Sequence, residues 1–202
     1  MVSFILVSHT ATSVPHFSLN DLCGGAGRMD LVARVVQTSL CVSHGIREDV
    51  ICYLVLCSDP RGRIIRFHGA DLRRFNPDER STAALIKKAL GIPAGSLFRE
   101  ASPGVSIRVG GLAELLAMER REKRKIAILD EHGTDIRACD DLLCDTYVLS
   151  DHQNFTEDEV LVLNEYEPVY LSLGPVVLHA DHAIVLLHNE RDRRAALLNV
   201  EN

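Results

Sequence analysis

A glycine run followed by an arginine and an aspartate could bind a phosphate and move a proton. The segment reads Gly24-Gly-Ala-Gly-Arg-Met-Asp30 and precedes an apolar pattern with helical spacing. Glycines that lead into a helix N-terminus favour anion binding, and the guanidinium of Arg28 could contact a phosphate through two hydrogen bonds. Asp30 could accept a proton or hydrogen-bond a base edge. The alternative is an ordinary turn in which Asp30 pairs with Arg34 at i,i+4.

Three short segments nearer the C-terminus follow apolar runs and could form a ligand site. They are Leu129-Asp130, Ser150-Asp-His152 and Leu173-Gly-Pro175. In open α/β sheets, ligands bind in the crevice at the carboxyl ends of the strands. The chain has neither a GxGxxG fingerprint nor a P-loop, so a dinucleotide or a triphosphate is not indicated. We therefore predict a cofactor held by main-chain groups and apolar side chains. The alternative is a set of ordinary strand-to-helix turns.

Two histidines near the start of the last predicted helix raise the question of a metal site. His179 and His182 are three residues apart and share a helix face. With Asp181 they are the basis of an alternative interpretation as a metal hydrolase. The HExxH spacing is absent, however, and no further ligand is evident. We therefore expect no metal, and we expect these histidines and His188 to cap, pack or hydrogen-bond.

The elements that must position these residues alternate between strands and helices. Asn76 with Pro77 signals one helix start, and the capping box of Thr156 and Glu159 signals another. Residues 92–104 and 131–145 are predicted as connections. The alternation indicates an α/β fold with a mostly parallel sheet, in a single domain of residues 1–202 whose C-terminal part begins near residue 146. The predicted strands are Val2–Ser8, Val50–Cys57, Arg63–His68, Val105–Val109, Ile126–Asp130, Thr146–Ser150 and Val169–Leu173, and the predicted helices begin near Met29, Asn76, Gly111, Thr156 and Leu178.

Composition and charge limit the compartment and the partners. The chain has 202 residues, a net charge of −6 and six cysteines without a CxxC pair, which indicates free thiols in a reducing, cytoplasmic compartment. The N-terminal apolar run is too short for a signal peptide or a membrane span. Residues 28–125 carry 18 basic and 11 acidic side chains, whereas residues 126–202 carry 4 and 16. A basic N-terminal half can hold a phosphate-binding surface. The candidates for a single basic face are Arg61, Arg63, Arg66, Arg73, Arg74, Lys87 and Lys88.

Six motifs, in order along the chain, resemble those of one family. They are Phe17-Ser-Leu-Asn-Asp21, Gly25-Ala-Gly-Arg-Met-Asp30, Ser43-His-Gly-Ile-Arg-Glu-Asp49, Asn76-Pro-Asp-Glu-Arg-Ser81, Val148-Leu-Ser-Asp-His152 and Leu173-Gly-Pro-Val-Val-Leu-His-Ala-Asp-His182. Together they are similar to the archaeal tRNA pseudouridine-54 N1-methyltransferase family, which belongs to the SPOUT class of S-adenosylmethionine (SAM) methyltransferases. The resemblance covers nearly the whole chain.

The resemblance implies a fold, an assembly and a cofactor site. The fold would be an α/β knot with a C-terminal trefoil knot, the assembly a homodimer with the knots near its interface, and the cofactor SAM, bound in the knot. Many members have glycine in place of Ser150 and cysteine in place of Ala183. Because neither departure removes a backbone contact, we expect SAM binding to be retained. The implied cofactor residues are Leu129, Ser150, Leu173, Gly174, Pro175, Val176, Val177, Leu178 and Ala183.

The implied reaction is methylation of N1 of pseudouridine 54 in the T-loop of tRNA. N1 carries a proton and becomes nucleophilic by losing it, so no covalent enzyme intermediate is needed. Asp30 is the candidate base, with Arg28 as its catalytic neighbour, and Arg28, Arg34 and Arg47 are the candidate tRNA contacts. Two alternatives stand beside the metal hydrolase. One is a knotted methyltransferase for rRNA pseudouridine. The other is a non-catalytic RNA-binding or cofactor-sensing relative, against which the retention of Arg28, Asp30 and Arg47 argues.

Overall fold

Strand β1 (Val2–Ser8) forms the centre of the sheet, since all of its residues are buried and it pairs on both sides. A strand covered on both faces must be apolar almost throughout, which explains the sequences of β1 and of β4 (Val50–Leu56). The computed structural model describes residues 1–139 and 144–200, without the side chains of 198–200. Its strands are β1 (Val2–Ser8), β2 (Cys41–Val42), β3 (Gly45–Ile46), β4 (Val50–Leu56), β5 (Arg63–His68), β6 (Arg99–Ser102), β7 (Val105–Val109), β8 (Ile126–Asp135), β9 (Thr146–Ser150) and β10 (Val169–Ser172).

The strands of the described residues form one large mixed sheet and one small hairpin. The order in the large sheet is β10-β8-β9-β1-β4-β5-β7-β6, and β2 pairs with β3 in the hairpin. The neighbours from β10 to β4 are parallel, and those from β4 to β6 are antiparallel. The parallel part therefore places five carboxyl ends at one edge, where ligands bind in sheets of this kind.

Helices cover both faces of the large sheet. They are α1 (Met29–Leu40), α2 (Glu79–Leu90), α3 (Leu112–Arg121), α4 (Glu157–Asn164) and α5 (Ala180–Val200). α1, α2 and α5 pack on the face that carries Phe4 and Leu6, whereas α3 and α4 pack on the face that carries Ile5 and Val7. This division follows from the alternation of side chains along β1. Within the described ranges, no helix combines the length and the apolar character needed to cross a membrane.

Helix α5 is fixed to α1 by a buried histidine. The ring of His188 lies 4.9 Å from the ring of Phe4, edge to face, and its Nε2 donates to the carbonyl oxygen of Ser39 at 2.9 Å. Burial disfavours the charged ring and lowers the pKa of His188 to about 4. The expectation that His188 packs and hydrogen-bonds is therefore confirmed.

The fold class is as the sequence predicts, and most elements lie where it places them. The structure confirms an α/β fold with a mostly parallel sheet. β1, β5, β7 and β9 have the predicted bounds. In the capping box, the Thr156 hydroxyl accepts from the Glu159 amide, while the Glu159 side chain accepts from the Thr156 amide. Local apolar pattern and cap chemistry were sufficient for these elements.

Three local predictions were wrong. Asp78, not Asn76, caps α2, because its extended backbone directly precedes the first turn and its carboxylate accepts from the Ser81 amide at 2.8 Å. β8 runs to Asp135 instead of Asp130; residues 140–143 of the predicted connection lie outside the described residues. β6 occupies part of the predicted loop 92–104, since a short edge strand needs only one partner, β7, and no apolar alternation.

The basic residues do not share one face, contrary to expectation. Ile64 on β5 packs on the α3 side of the sheet and Ile65 packs on the α1 side. By the alternation of strand side chains, Arg63 and Arg66 therefore lie on opposite faces. The guanidinium of Arg66 lies 4.5 Å from the ring centre of Phe98. Basic charge is thus distributed around the antiparallel part of the sheet.

Replacing His188 with glutamine should reduce the loss of stability in acid. The pKa of His188 is about 4 in the folded chain and is usually 6.5 for a histidine in water. The unfolded chain therefore takes up the proton first, and stability falls as pH drops through this window. The ring accounts for a loss of roughly 3 kcal/mol between pH 7 and pH 4. Urea unfolding at both pH values measures the difference between the two proteins. A variant that loses as much stability as the wild type would contradict this role.

Candidate functional site

A cleft of about 410 Å³ opens at the ends of β9 and β10, beside residues 129–132 of β8. Its volume lies in the range of about 300–1,000 Å³ that is usual for small-molecule sites. The structure thus brings the three predicted strand exits together. Pro175 is not among the lining residues, and the cofactor-binding role of the others remains a prediction. The lining includes the other eight predicted cofactor residues, Leu129, Ser150, Leu173, Gly174, Val176, Val177, Leu178 and Ala183.

One wall of the cleft comes from a bulge in β8. Ile128 is the last residue in regular register with β10, and the next paired residue of β8 is Thr134. Residues 129–133 therefore leave the ladder, and four of them line the cleft. A Cβ atom on Gly133 would lie 2.6 Å from the backbone nitrogen of Leu171. Glycine is thus required where β8 returns to β10, because the two backbones approach so closely.

The turn between β10 and α5 supplies bare backbone and exposed apolar side chains. Gly174 has a φ of 137°, and nothing lies within 4 Å of the position that its Cβ would take. Val176 and Val177 are 68% and 70% exposed, although valine is usually buried. This wall therefore offers main-chain groups and apolar surface, the chemistry that the sequence predicts for a cofactor site.

The loop after β9 is folded by its own side chains. The hydroxyl of Ser150 donates to the carbonyl oxygen of Gln153. The carboxylate of Asp151 accepts from the amide of Gln153 at 2.9 Å. The hydroxyl by which Ser150 departs from the family's glycine therefore has a partner within the loop, and it closes the turn that borders the cleft.

Arg28, Asp30 and Arg34 form an ion-pair cluster at the start of α1, which we call the arginine cluster. Arg28 donates two hydrogen bonds to Asp30, at 3.1 and 3.2 Å, and Arg34 donates a third at 3.0 Å. Burial opposes ionisation of the Asp30 carboxyl, but the hydrogen bonds and charges of both arginines outweigh burial and lower its pKa. A low pKa weakens a carboxylate as a proton acceptor near neutral pH. The role of Asp30 as a base remains a prediction.

Arg34 also connects this arginine cluster to α5. Its Nε donates to Oδ2 of Asp181 at 3.0 Å, and its Nη1 donates to Glu79 at 3.3 Å. Asp181 lies in the first turn of α5, whose residues Ala180 and Ala183 line the cleft. Oδ1 of Asp181 is buried and has no hydrogen-bond partner among the described residues. Arg34, a member of the arginine cluster, therefore connects that cluster to α5, the helix that borders the cleft.

The glycine run is not the anion-binding turn that the sequence suggests. The amides of Gly24 and Gly25 donate to the carboxylate of Asp21 at 3.0 and 2.8 Å. The chain's own aspartate therefore takes these donors. Gly27 has a φ of 65°, and a Cβ there would lie 1.9 Å from the carbonyl oxygen of Thr10. An open depression of about 570 Å³ borders this run. It is larger than the cleft, but its lining includes none of the predicted cofactor residues.

Arg47 has its partner on α5 and not in the arginine cluster. Its Nη1 donates to Oδ1 of Asp192 at 3.0 Å, and Nη2 donates to the other oxygen of the same carboxylate. This bidentate contact raises the pKa of Arg47, which is charged in any case. An RNA phosphate that binds Arg47 would have to share it with Asp192 or displace that carboxylate.

The histidines of α5 do not assemble a metal site. The rings of His179 and His182 lie 5.8 Å apart, edge to face. Asp181, the other residue of the metal-hydrolase interpretation, binds Arg34. No group of three or more histidine, cysteine, aspartate or glutamate residues that could hold a metal ion occurs among the described residues. Nothing in this part of the structure favours the hydrolase.

Sequence reasoning missed a second polar cluster beside the cleft. His9, which follows β1, lies between the carboxylates of Asp151 and Glu159, at 3.2 and 2.9 Å. These contacts join residues 142 and 150 positions apart, so no local pattern signals them. The sequence shows only separate parts of it, the capping box that contains Glu159 and the strand-end segment that contains Asp151.

The comparison with known families shows which family the chain belongs to. Residues 1–196 match the family described as putative SAM-dependent RNA methyltransferase. The chain belongs to this family. This match confirms the resemblance inferred from the six motifs. It spans both the arginine cluster and the cleft.

Relatives within the family carry a more specific name, tRNA (pseudouridine(54)-N(1))-methyltransferase. The protein of this name from Methanospirillum hungatei is 50% identical over 196 residues, which cover 96% of this chain and 97% of the relative. The one from Methanocorpusculum labreanum is 47% identical over 199 residues, which cover 96% and 98%. The crystal structure of Archaeoglobus fulgidus Nep1 bound to S-adenosylhomocysteine superposes with a TM-score of 0.68 over 96% of this chain and 99% of that one, at 14% identity. This last likeness shows a shared fold.

Replacing Gly133 with alanine should destabilise the chain by about 1–3 kcal/mol, the usual cost of overpacking. The added Cβ would lie 2.6 Å from backbone atoms of β10, so a strand has to move. Gly95 is the matched control, because a Cβ there meets nothing within 4 Å. Urea unfolding of both variants measures the cost. Equal stability of the two variants would contradict the close approach at Gly133.

Proposed function

We propose that this chain is a SAM-dependent methyltransferase that methylates N1 of pseudouridine 54 in the T-loop of tRNA. The observation that carries the proposal is the identity of 50% and 47% to two relatives of that name, over nearly the full length of all three chains. The cleft of small-molecule size at the strand exits supports it. So does the basic excess of residues 28–125, because RNA affinity depends on phosphate neutralisation.

In this proposal the cleft holds SAM, which supplies an electrophilic methyl group on a sulfonium. The bare backbone at Gly174 and the exposed faces of Val176 and Val177 fit a ligand with adenosine and amino-acid parts. Ala183, where many relatives have cysteine, keeps the wall apolar and leaves every backbone group in place. Pro175 belongs to the same turn and fixes its backbone.

The RNA contacts would come from Arg28, Arg34 and Arg47. The side chains of Arg28 and Arg34 are 35% and 32% exposed although both bind Asp30. A guanidinium has five N–H donors in a fixed fork, so each can keep its carboxylate and still donate to an RNA oxygen. The Asp30 carboxylate then fixes the direction of both arginines before RNA binds, which lowers the entropy cost of recognition.

The reaction asks the chain for positioning and for removal of one proton. SAM held in the cleft would supply the methyl group to N1 of pseudouridine, and N1 would give its proton to an acceptor on the chain. Holding the two reactants next to each other supplies most of the acceleration. Asp30 is the proposed proton acceptor, and Arg28 orients both Asp30 and the base. The low pKa of Asp30 limits the rate that proton transfer contributes.

The assembly proposed for this enzyme is a homodimer. Val185 and Leu186 of α5 are 50% and 45% exposed, and Val176 and Val177 add apolar surface just before this helix. Surface of this kind is typical of subunit interfaces. Light scattering that returns the mass of one chain would contradict the dimer. The trefoil knot, the single domain of residues 1–202 and the cytoplasmic location complete the proposal.

Asp30→Asn should lower the single-turnover rate by about 100-fold with RNA and SAM saturating, the lower end of the range for a general base. Asparagine keeps an acceptor for the arginines but cannot take a proton. Glu79→Gln is the control, because it neutralises a third carboxylate that Arg34 contacts, at 3.3 Å on α2. Its rate should stay within about threefold of the wild type. An unchanged rate in Asp30→Asn would exclude Asp30 as the base.

The substrate is tested with SAM labelled in the methyl group and with matched RNA transcripts. One T-loop transcript carries uridine at position 54, a second carries pseudouridine, and a third RNA is a pseudouridine-containing rRNA fragment. We expect label only in the pseudouridine T-loop. Uridine has no N1 proton to lose, because its N1 is bonded to the ribose, and the rRNA fragment lacks the T-loop that the proposal takes as the substrate. Label in the rRNA fragment alone would favour the rRNA enzyme. Binding of the T-loop without transfer to any RNA would favour the non-catalytic relative.

A further inference from the structure

The carboxyl end of β1 carries a polar cluster that the proposed reaction does not use. We call it the His9 clasp and define it as His9, Asp151 and Glu159. Nδ1 of His9 lies 3.2 Å from Oδ1 of Asp151, and Nε2 lies 2.9 Å from Oε2 of Glu159. The three side chains are 11%, 1% and 17% exposed. The contacts are therefore shielded from water and link the exits of β1 and β9 to the start of α4.

The geometry of the clasp requires a charged ring. An ionised carboxylate only accepts hydrogen bonds, so both ring nitrogens of His9 must donate, and only the imidazolium has two N–H groups. Burial opposes this charge, but the hydrogen bonds and charges of Glu159 and Asp151 outweigh burial and raise the pKa of His9. For Asp151, burial is likewise outweighed by hydrogen bonds from Gln153, His9 and Ser8, which lower its pKa.

The clasp fixes both ends of the segment that borders the cleft. At one end, the Asp151 carboxylate also accepts from the His9 amide at 2.8 Å and from the Gln153 amide at 2.9 Å. At the other end, Glu159 accepts from the Thr156 amide at 2.8 Å. The residues between these anchors that line the cleft are Gln153, Asn154 and Phe155.

We propose that His9 is a positioning residue which, as the imidazolium, holds segment 151–156 against the cleft, so that cofactor affinity falls when the ring loses its proton. The proposal rests on the proposed function, because it takes the cleft as the SAM site. A neutral ring keeps one N–H and therefore one of the two carboxylate contacts. The carboxylates of Asp151 and Glu159 then face each other without a cation between them. The segment loses one of its two anchors.

Two other titratable groups face the clasp. His152 Nδ1 lies 3.7 Å from Oδ1 of Asp151, and Sγ of Cys57 lies 3.9 Å from Oε1 of Glu159. Burial and the two carboxylates raise the pKa of Cys57 to about 11, so the thiol does not ionise between pH 6 and pH 8.5. His152 contacts the same Asp151 carboxylate as His9, and a His152→Gln variant separates its effect from that of His9.

Calorimetry of S-adenosylhomocysteine binding between pH 6 and pH 8.5, without RNA, tests the clasp independently of turnover. In the wild type, the affinity for S-adenosylhomocysteine should fall about tenfold as pH rises. This is the expected effect of losing one hydrogen bond to a charged group. His9→Gln should bind about tenfold more weakly at pH 6 and vary little with pH. His68→Gln is the matched control, since it removes a histidine paired with one exposed carboxylate, Asp71, and should behave as the wild type does.

The ring of His9 is followed by NMR titration in the same pH range, which keeps the test valid if a variant folds poorly. Glu159→Gln should move the His9 midpoint to lower pH, because one of its two carboxylates is neutralised. A His9 midpoint at or below that of an exposed histidine would overturn the clasp. So would a His9→Gln affinity that follows the wild-type pH profile. A wild type that binds no S-adenosylhomocysteine at any pH, with a raised His9 midpoint, would instead overturn the proposed function and with it the link to the cofactor.

Discussion

The parallel pairing of β1 with β4 and β9 is the constraint on which the rest of the structure depends. All seven residues of β1 are buried, so a shift of one residue in register would exchange the two faces of its core. In this register Ser8, Leu56 and Ser150 end at the same edge of the sheet.

Ion pairs that are partly shielded from water connect these exits. Arg34 joins α1 to the first turn of α5 through Asp181, and His9 joins β1 to α4 through Asp151 and Glu159. Removing one partner of such a pair leaves a partly buried charge without compensation, which costs more than breaking a pair on the open surface. The Arg34–Asp181 pair connects the arginine cluster to the helix beside the cleft, the two surfaces proposed to hold RNA and cofactor.

The sequence alone was sufficient for the elements whose pattern is local. Apolar runs predict β1 and β9, and the capping box predicts α4. The segments at the ends of the predicted strands indicate the cleft. Local pattern failed where partners decide. The bulge of β8 depends on how β10 passes Gly133, and β6 exists only because β7 offers a free edge. The occupied amides of the glycine run depend on Asp21, and the contact of His9 with Glu159 spans 150 positions. The cofactor residues came from family resemblance, not from periodicity.

The cofactor is proposed to bind at the ends of β9 and β10, beside residues 129–132 of β8. Hydrogen exchange measured with and without S-adenosylhomocysteine tests it most directly, because it reports on each segment separately. We predict slower exchange in residues 150–156 and 173–178 and unchanged exchange in residues 24–27. Slower exchange confined to residues 24–27, beside the larger depression, would contradict the account.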